Sequence, residues 1–233
     1  MNIHAVIFDL DNTLINRKQA FKEFSNRLIE KYIIDLEPSE RKDVLQYIIE
    51  ADNDGYRSKK ELYQELLSTL KWKKQETTIK ELLDFWFSEF YKCSVLMEGA
   101  MDVLQSLKRQ GLKLGLVTNG SAHSQNSKID FVGLREHFDA IIVSDEVQVK
   151  KPAKRIFEIT LDRLGVKPEF TIYVGDHPLN DVKGASDAGL KTIWLEGFRK
   201  WDVPETQPHY KISKLTEMIE MLEGGSKKSR NSR

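Results

Sequence analysis

The feature that most constrains this chain is a series of short β-rich apolar runs alternating with helical patterns. The runs fall at residues 4–8, 114–118, 140–143, 171–174 and 192–195, rich in branched and aromatic side chains. Runs that are apolar at every position suit strands buried on both faces of a sheet. Between them, Met101, Leu104 and Leu107 share a helical face that stops at Gly111. Pro152 sits at a plausible first helical position, and Ile156, Phe157, Thr160, Leu161 and Leu164 follow at helical spacing before Gly165. Residues 181–188 form a third helical stretch, stopped by Gly189. Strands alternating with helices predict an α/β fold whose parallel sheet is covered on both sides.

One segment breaks the rhythm. Residues 16–96 contain no convincing strand, only amphipathic helical patterns. Phe21, Phe24, Leu28 and Tyr32 line one face, and Leu62, Leu66, Leu67 and Leu70 another. Ile79, Leu82, Leu83, Trp86, Phe87 and Phe90 line a third. The aromatic stripe reads as helix-packing core. The expected division is a core of residues 1–15 and 97–225 carrying an all-helical insertion over 16–96. At the far end, Leu215, Met218, Ile219 and Leu222 predict a closing helix capped by Ser213 and ended by Gly224-Gly225. Residues 226–233 are expected to be a disordered basic tail.

Charge and cysteine usage exclude several classes. The 36 basic residues balance 36 acidic ones, so the chain lacks the positive field of a dedicated nucleic-acid or membrane-surface binder. A single cysteine, Cys93, rules out an internal disulfide framework and a Cys-rich zinc site. No apolar run approaches the roughly 18 residues of a membrane span, and the apolar start, residues 5–8, is too short for a signal-peptide core. A cytoplasmic monomer with neither nucleic-acid nor membrane partners is expected.

Chemistry concentrates where the strands end. In open parallel sheets, ligands bind beyond the carboxyl ends of the strands. Asp9-Leu10-Asp11-Asn12-Thr13 follows the first run and offers two carboxylates two residues apart, as an acidic pocket or as a turn cap. Gly175-Asp176-His177-Pro178-Leu179-Asn180-Asp181 follows the fourth; one of its acids could cap the next helix, which leaves the other unexplained. If both ends face one cleft, three or four carboxylates converge. An all-oxygen cluster of that charge suits Mg²⁺. Thr118-Asn119-Gly120-Ser121 reads as a phosphate cradle, with backbone amides opened by Gly120, or as a polar turn. Lys150-Lys151-Pro152 places cations at a helix start, where the macrodipole disfavours them unless they face an anion.

Taken in order, these motifs resemble the haloacid-dehalogenase-like hydrolases of subfamily I, over roughly residues 4–222. The resemblance rests on Asp9-Leu10-Asp11-Asn12-Thr13-Leu14, Val117-Thr118-Asn119-Gly120, Lys151-Pro152, and Gly175-Asp176 through Asp181. It implies a Rossmann-like core with a helical cap inserted after the first motif. By the same resemblance Asp9 is the nucleophile that becomes an aspartyl-phosphate, and Asp11 the general acid and then base. Thr118 and Asn119 bind the transferring phosphoryl group, and Lys151 neutralises oxygen charge. Mg²⁺ is held by the Asp9 carboxylate, the Asp11 main-chain carbonyl and Asp176, with Asp181 in or near that shell. Retention of Asp11, Asp176 and Asp181 points away from dehalogenation and toward a phosphatase acting on a nucleoside monophosphate, phosphoglycolate or a sugar phosphate. A phosphomutase, or a non-catalytic phosphate-binding regulator on the same scaffold, is the alternative. Asn16, Arg17, Lys18 and His123 could face substrate or solvent, and Gln148 stands where the family often has glycine ahead of the lysine.

Overall fold

The computed structural model describes residues 2–228. The chain divides into two compact units, one of residues up to Asn16 together with those from Leu96 onward, the other Arg17–Val95. The first unit contains the sheet. Its strands are β1 (Ala5–Phe8), β2 (Lys113–Thr118), β3 (Ala140–Val143), β4 (Thr171–Gly175), β5 (Lys191–Leu195) and β6 (Tyr210–Ile212). They lie in the order β3-β2-β1-β4-β5-β6, and every pair is parallel. β1 is therefore central, so the loop that follows it lies between those of β2 and β4.

Side chains alternate across the strands, as the pleat requires. Val6, Phe8, Leu114, Leu116, Ile172 and Val174 face one layer, packed with Val103, Leu104 and Leu107 of α5 (Ala100–Arg109) and Met218 of α10 (Glu217–Lys228). Ala5, Ile7, Val117, Ile142 and Tyr173 face the other, against Ile156, Phe157, Leu161 and Leu164 of α8 (Lys154–Leu164) and Ala185 of α9 (Gly184–Asp187). Two further helices in this unit, α6 (Ala122–Phe131) and the single turn α7 (Ser144–Val147), follow β2 and β3.

Two features of this unit differ from expectation. β6 was not foreseen: it has three residues, and only Ile212 among them is buried, so it leaves no apolar run to read. The closing helix does not stop at Gly224-Gly225 but continues to Lys228. Glycine costs a helix interior about 1 kcal/mol, too little to end one whose hydrogen bonds carry on. The first three residues of the expected disordered tail are thus helical, and residues 229–233 lie outside the described residues.

The second unit is all-helical: α1 (Arg17–Tyr32), α2 (Pro38–Asp52), α3 (Lys59–Thr69) and α4 (Ile79–Glu89). Thr78 and Glu81 form a reciprocal capping box at the start of α4. Phe21, Phe24, Leu28, Leu62, Leu66, Leu82, Trp86 and Phe90 share one core. Within it, Phe24 meets Trp86 and Phe90 edge-on at 5.1 and 5.7 Å, the arrangement aromatic quadrupoles favour. Phe87 does not join that face. It is 41% exposed and Phe85 is buried instead, because position 87 lies roughly 140° around the helix from Leu82. No helix among the described residues is long and apolar enough to cross a membrane.

Leu104 is fully buried between α5 and the sheet. Leu104→Ala is expected to lower stability by about 2–5 kcal/mol, the range for truncating a packed leucine, measured as a shifted urea midpoint at unchanged slope.

Candidate active site

Four parallel strands finish at the same edge of the sheet. Asp9 extends β1 by one residue, its N–H donating to the Val174 carbonyl at 2.9 Å. Thr118 closes β2, Ser144 follows β3 and Asp176 follows β4. The strand ladder, not a flexible loop, therefore fixes where Asp9 and Asp176 stand.

Lys151 is the hub of the site. Its side chain is 3% exposed, and its Nζ lies 2.6 Å from Asp9 Oδ1 and 2.7 Å from Asp181 Oδ1. It also donates to Tyr173 Oη at 3.0 Å and to the Val117 carbonyl at 3.1 Å. Burial works against its charge, but the Asp181 and Asp9 carboxylates outweigh burial and hold the ammonium well above its ordinary range. Its neighbour Lys150 is exposed. In the loop before it, Gln148 has a φ of 53°, in the left-handed region that glycine favours.

Asp9 is clamped on both oxygens, Oδ1 by Lys151 and Oδ2 by the Thr13 hydroxyl at 3.1 Å. Burial nevertheless pushes its pKa up to about 7; Lys151 pulls it down and Asp181 pushes it further up. Asp176 is raised well above the carboxylate range by burial and then by the charges of Asp9 and Asp181. One carboxylate oxygen from each of Asp9, Asp176 and Asp181 lies within 4.8 Å of the other two, and all three residues are buried. Three carboxylates face a single ammonium. This surplus of buried negative charge, on hard oxygen donors alone, fits a divalent cation of the Mg²⁺ type.

Asp181 is anchored beside that cluster. Its Oδ1 also accepts from the Tyr173 hydroxyl at 3.0 Å, and its Oδ2 accepts from the His177 N–H at 3.0 Å. Gly175 makes room for it. A Cβ at Gly175 would fall far inside contact distance of the Asp181 carboxyl group, so the glycine serves close approach rather than a tight turn.

Thr118 is 1% exposed at the end of β2. Asn119 spends its side chain on Lys151: Nδ2 donates to the Lys151 carbonyl at 3.0 Å, and Oδ1 accepts from the Lys151 N–H at 2.9 Å. Gly120, expected to open amides for a phosphate, gives its N–H to Ser144 Oγ at 3.0 Å. Its missing Cβ makes room for the Gln125 side chain. His123 is exposed. Arg17 is turned into the helical unit, where it pairs at 2.8 Å with Asp52, a 1% exposed carboxylate that also binds Lys59.

Asp11 stands apart from the three clustered acids. Both of its oxygens accept from Lys128 Nζ, at 2.8 and 2.5 Å, and Oδ2 accepts from Gln125 Nε2 at 3.1 Å. Gln125, Lys128 and Tyr173 were missed in the sequence. A signal existed for the first two: a helix covering a sheet should carry an apolar stripe, and Ala122–Phe131 has almost none. Tyr173 hid inside an apolar strand run.

A family model described as haloacid dehalogenase-like hydrolase matches residues 6–195, and the chain belongs to that family. Among its relatives is the N-acylneuraminate-9-phosphatase of Rattus norvegicus, 30% identical over 241 residues that span 95% of this chain and 94% of the relative. The phosphoserine phosphatase of Thermus thermophilus matches locally, at 35% identity over 140 residues; the match covers 60% of this chain and little over half, 56%, of that relative. In structure the chain is similar to the magnesium-bound HAD-hydrolase YfnB of Bacillus subtilis, at a TM-score of 0.74 and 28% identity, covering 95% of this chain and 99% of that one.

The charge surplus sets a sign for pH. A carboxyl whose pKa is raised on folding stabilises the native state below its unfolded value and loses that contribution as pH rises through the folded one. Asp176→Asn should therefore melt higher than wild type at pH 8 in chelator, by about 2–4 °C for each kcal/mol relieved, and match it near pH 4. Thermal unfolding at the two pH values checks this.

Proposed function

We propose that this chain is a Mg²⁺-dependent phosphatase that hydrolyses a small phosphorylated metabolite through an aspartyl-phosphate on Asp9. The observation that carries this reading is the buried Lys151 ammonium 2.6 Å from Asp9 Oδ1, beside two further buried carboxylates. Asp9, Asp176 and the Asp11 main-chain carbonyl would hold the ion, with Asp181 alongside; bound, it supplies charge compensation for phosphate oxygens.

The remaining chemistry belongs to side chains. The Thr13 hydroxyl and Lys151 fix both Asp9 oxygens, which limits the carboxylate to one approach toward phosphorus. Lys151 faces the oxygen charge that develops as the ester bond breaks. Thr118 supplies a hydroxyl to the transferring group. Asn119 acts one step back, holding the Lys151 main chain from both sides. Asp11, 22% exposed at its side chain, gives a proton to the departing oxygen and then takes one from the attacking water. The names of the relatives, phosphatases of N-acylneuraminate 9-phosphate and of phosphoserine, support a small phosphate monoester as substrate.

Nucleoside monophosphates, phosphoglycolate and sugar phosphates, assayed for phosphate release with Mg²⁺ and with chelator, test the reading. Release should require the metal and fall to background in Asp9→Asn; activity that survives either change contradicts it. Gly175→Ala should lower turnover by about 100-fold, since displacing Asp181 misplaces Lys151 by a fraction of an ångström or more.

A further inference from the structure

We infer that Gln125 and Lys128 of α6 are positioning residues, a two-point clamp that holds Asp11 and Thr118 in register for the breakdown of the aspartyl-phosphate. This rests on the reading that Asp11 is the base of the second half-reaction.

Residues three apart on a helix share a face. On α6, that face turns Gln125 and Lys128 inward, each 3% exposed, beside Ile129. Burying a lysine this deeply carries a large desolvation cost, and an apolar side chain of similar size often serves stability as well or better. Packing alone thus gives no reason for a lysine there. What the ion pair does supply is a fixed geometry: Nζ bridges both Asp11 oxygens, at 2.8 and 2.5 Å, and so sets the plane of that carboxylate.

Gln125 completes the clamp. Its amide has two protons, and both are used, one on Asp11 Oδ2 at 3.1 Å and one on Thr118 Oγ1. Because the carboxylate only accepts, the amide nitrogen must face it. Thr118 Oγ1 then accepts from the same nitrogen, which leaves its own O–H to donate toward an incoming oxygen. One side chain thereby fixes the separation of the base from the phosphate-binding hydroxyl and sets the direction of the hydroxyl. Gly120 permits this, since a Cβ there would collide with Gln125.

The step served is hydrolysis of the acyl phosphate. A water oxygen forms a bond to phosphorus while the bond from phosphorus to the Asp9 oxygen breaks. The water proton passes to Asp11, inorganic phosphate leaves, and Asp9 recovers its carboxylate. With p-nitrophenyl phosphate the first half-reaction needs little acid help, because p-nitrophenolate leaves readily. Loss of the clamp should then slow the second half-reaction selectively.

Rapid mixing of p-nitrophenyl phosphate with the Mg²⁺-loaded enzyme tests the inference. Lys128→Met should show a burst of p-nitrophenolate approaching one per site, then a steady rate lower by about 10–100-fold with KM lowered in parallel, so that kcat/KM stays within about threefold of wild type. Lys128→Arg should recover most of the rate. Gln125→Met should show a smaller burst and a smaller loss, and it carries the test if Lys128→Met does not fold. Unchanged turnover in folded Lys128→Met, a slower rate without a burst, or an equal loss in Lys128→Arg would each overturn the clamp. Asp11→Asn in the same assay separates the two claims. If it turns over like wild type, the proposed mechanism fails; if it is slow while the clamp variants are not, the clamp alone fails.

Discussion

The buried Lys151 ammonium holds Asp9 and Asp181 together at the centre of this site. Lys151 sits among two carboxylates, a carbonyl and a phenol drawn from β2, β4 and the segments after β1 and β4. Those segments are far apart in the chain and converge only because four parallel strands end at one edge. Remove the cation, and Asp9 faces Asp181 where burial already penalises the Asp9 charge. The same contact works in reverse, since the two acids are what keep a lysine this buried charged. Each partner is tolerable only in the company of the other.

Around that pair the structure distributes positioning work. Asn119 holds the main chain of Lys151, Gly175 vacates the space Asp181 occupies, and the Trp194 indole N–H donates to the Asp176 carbonyl at 2.8 Å. Tyr173 reaches the hub from within the sheet, where it also packs edge-on to Phe157 at 5.2 Å. These groups sit on strands and strand ends rather than on long loops. Rigid supports of that kind are what a reaction dependent on sub-ångström placement requires.

Much of this is legible in the sequence alone. The five longer strands were readable because each is a continuous apolar run buried on both faces, and the helical insertion because its apolar positions recur at 3.6-residue spacing. The parallel orientation of the strands followed from helices lying between them, but their order in the sheet did not. Most of what escaped depends on side-chain contacts that apolar periodicity does not encode. β6 borrows its stability from β5 and carries one buried side chain. Gly120 looked like a phosphate loop but makes room for Gln125, a contact no local pattern encodes. Lys128 looks like any helical lysine in the sequence, and its buried ion pair is with Asp11, 117 positions away. Phe87 was placed on the wrong face because an aromatic-rich stretch gives several nearly equal helical phases.

The most direct test of the central claim is chemical trapping of the phosphorylated side chain. Enzyme quenched during turnover of a phosphate ester and reduced with borohydride should yield homoserine at position 9, and only there, in a peptide map. An unmodified Asp9 under turnover, or the reduced residue at position 11 instead, would contradict the account.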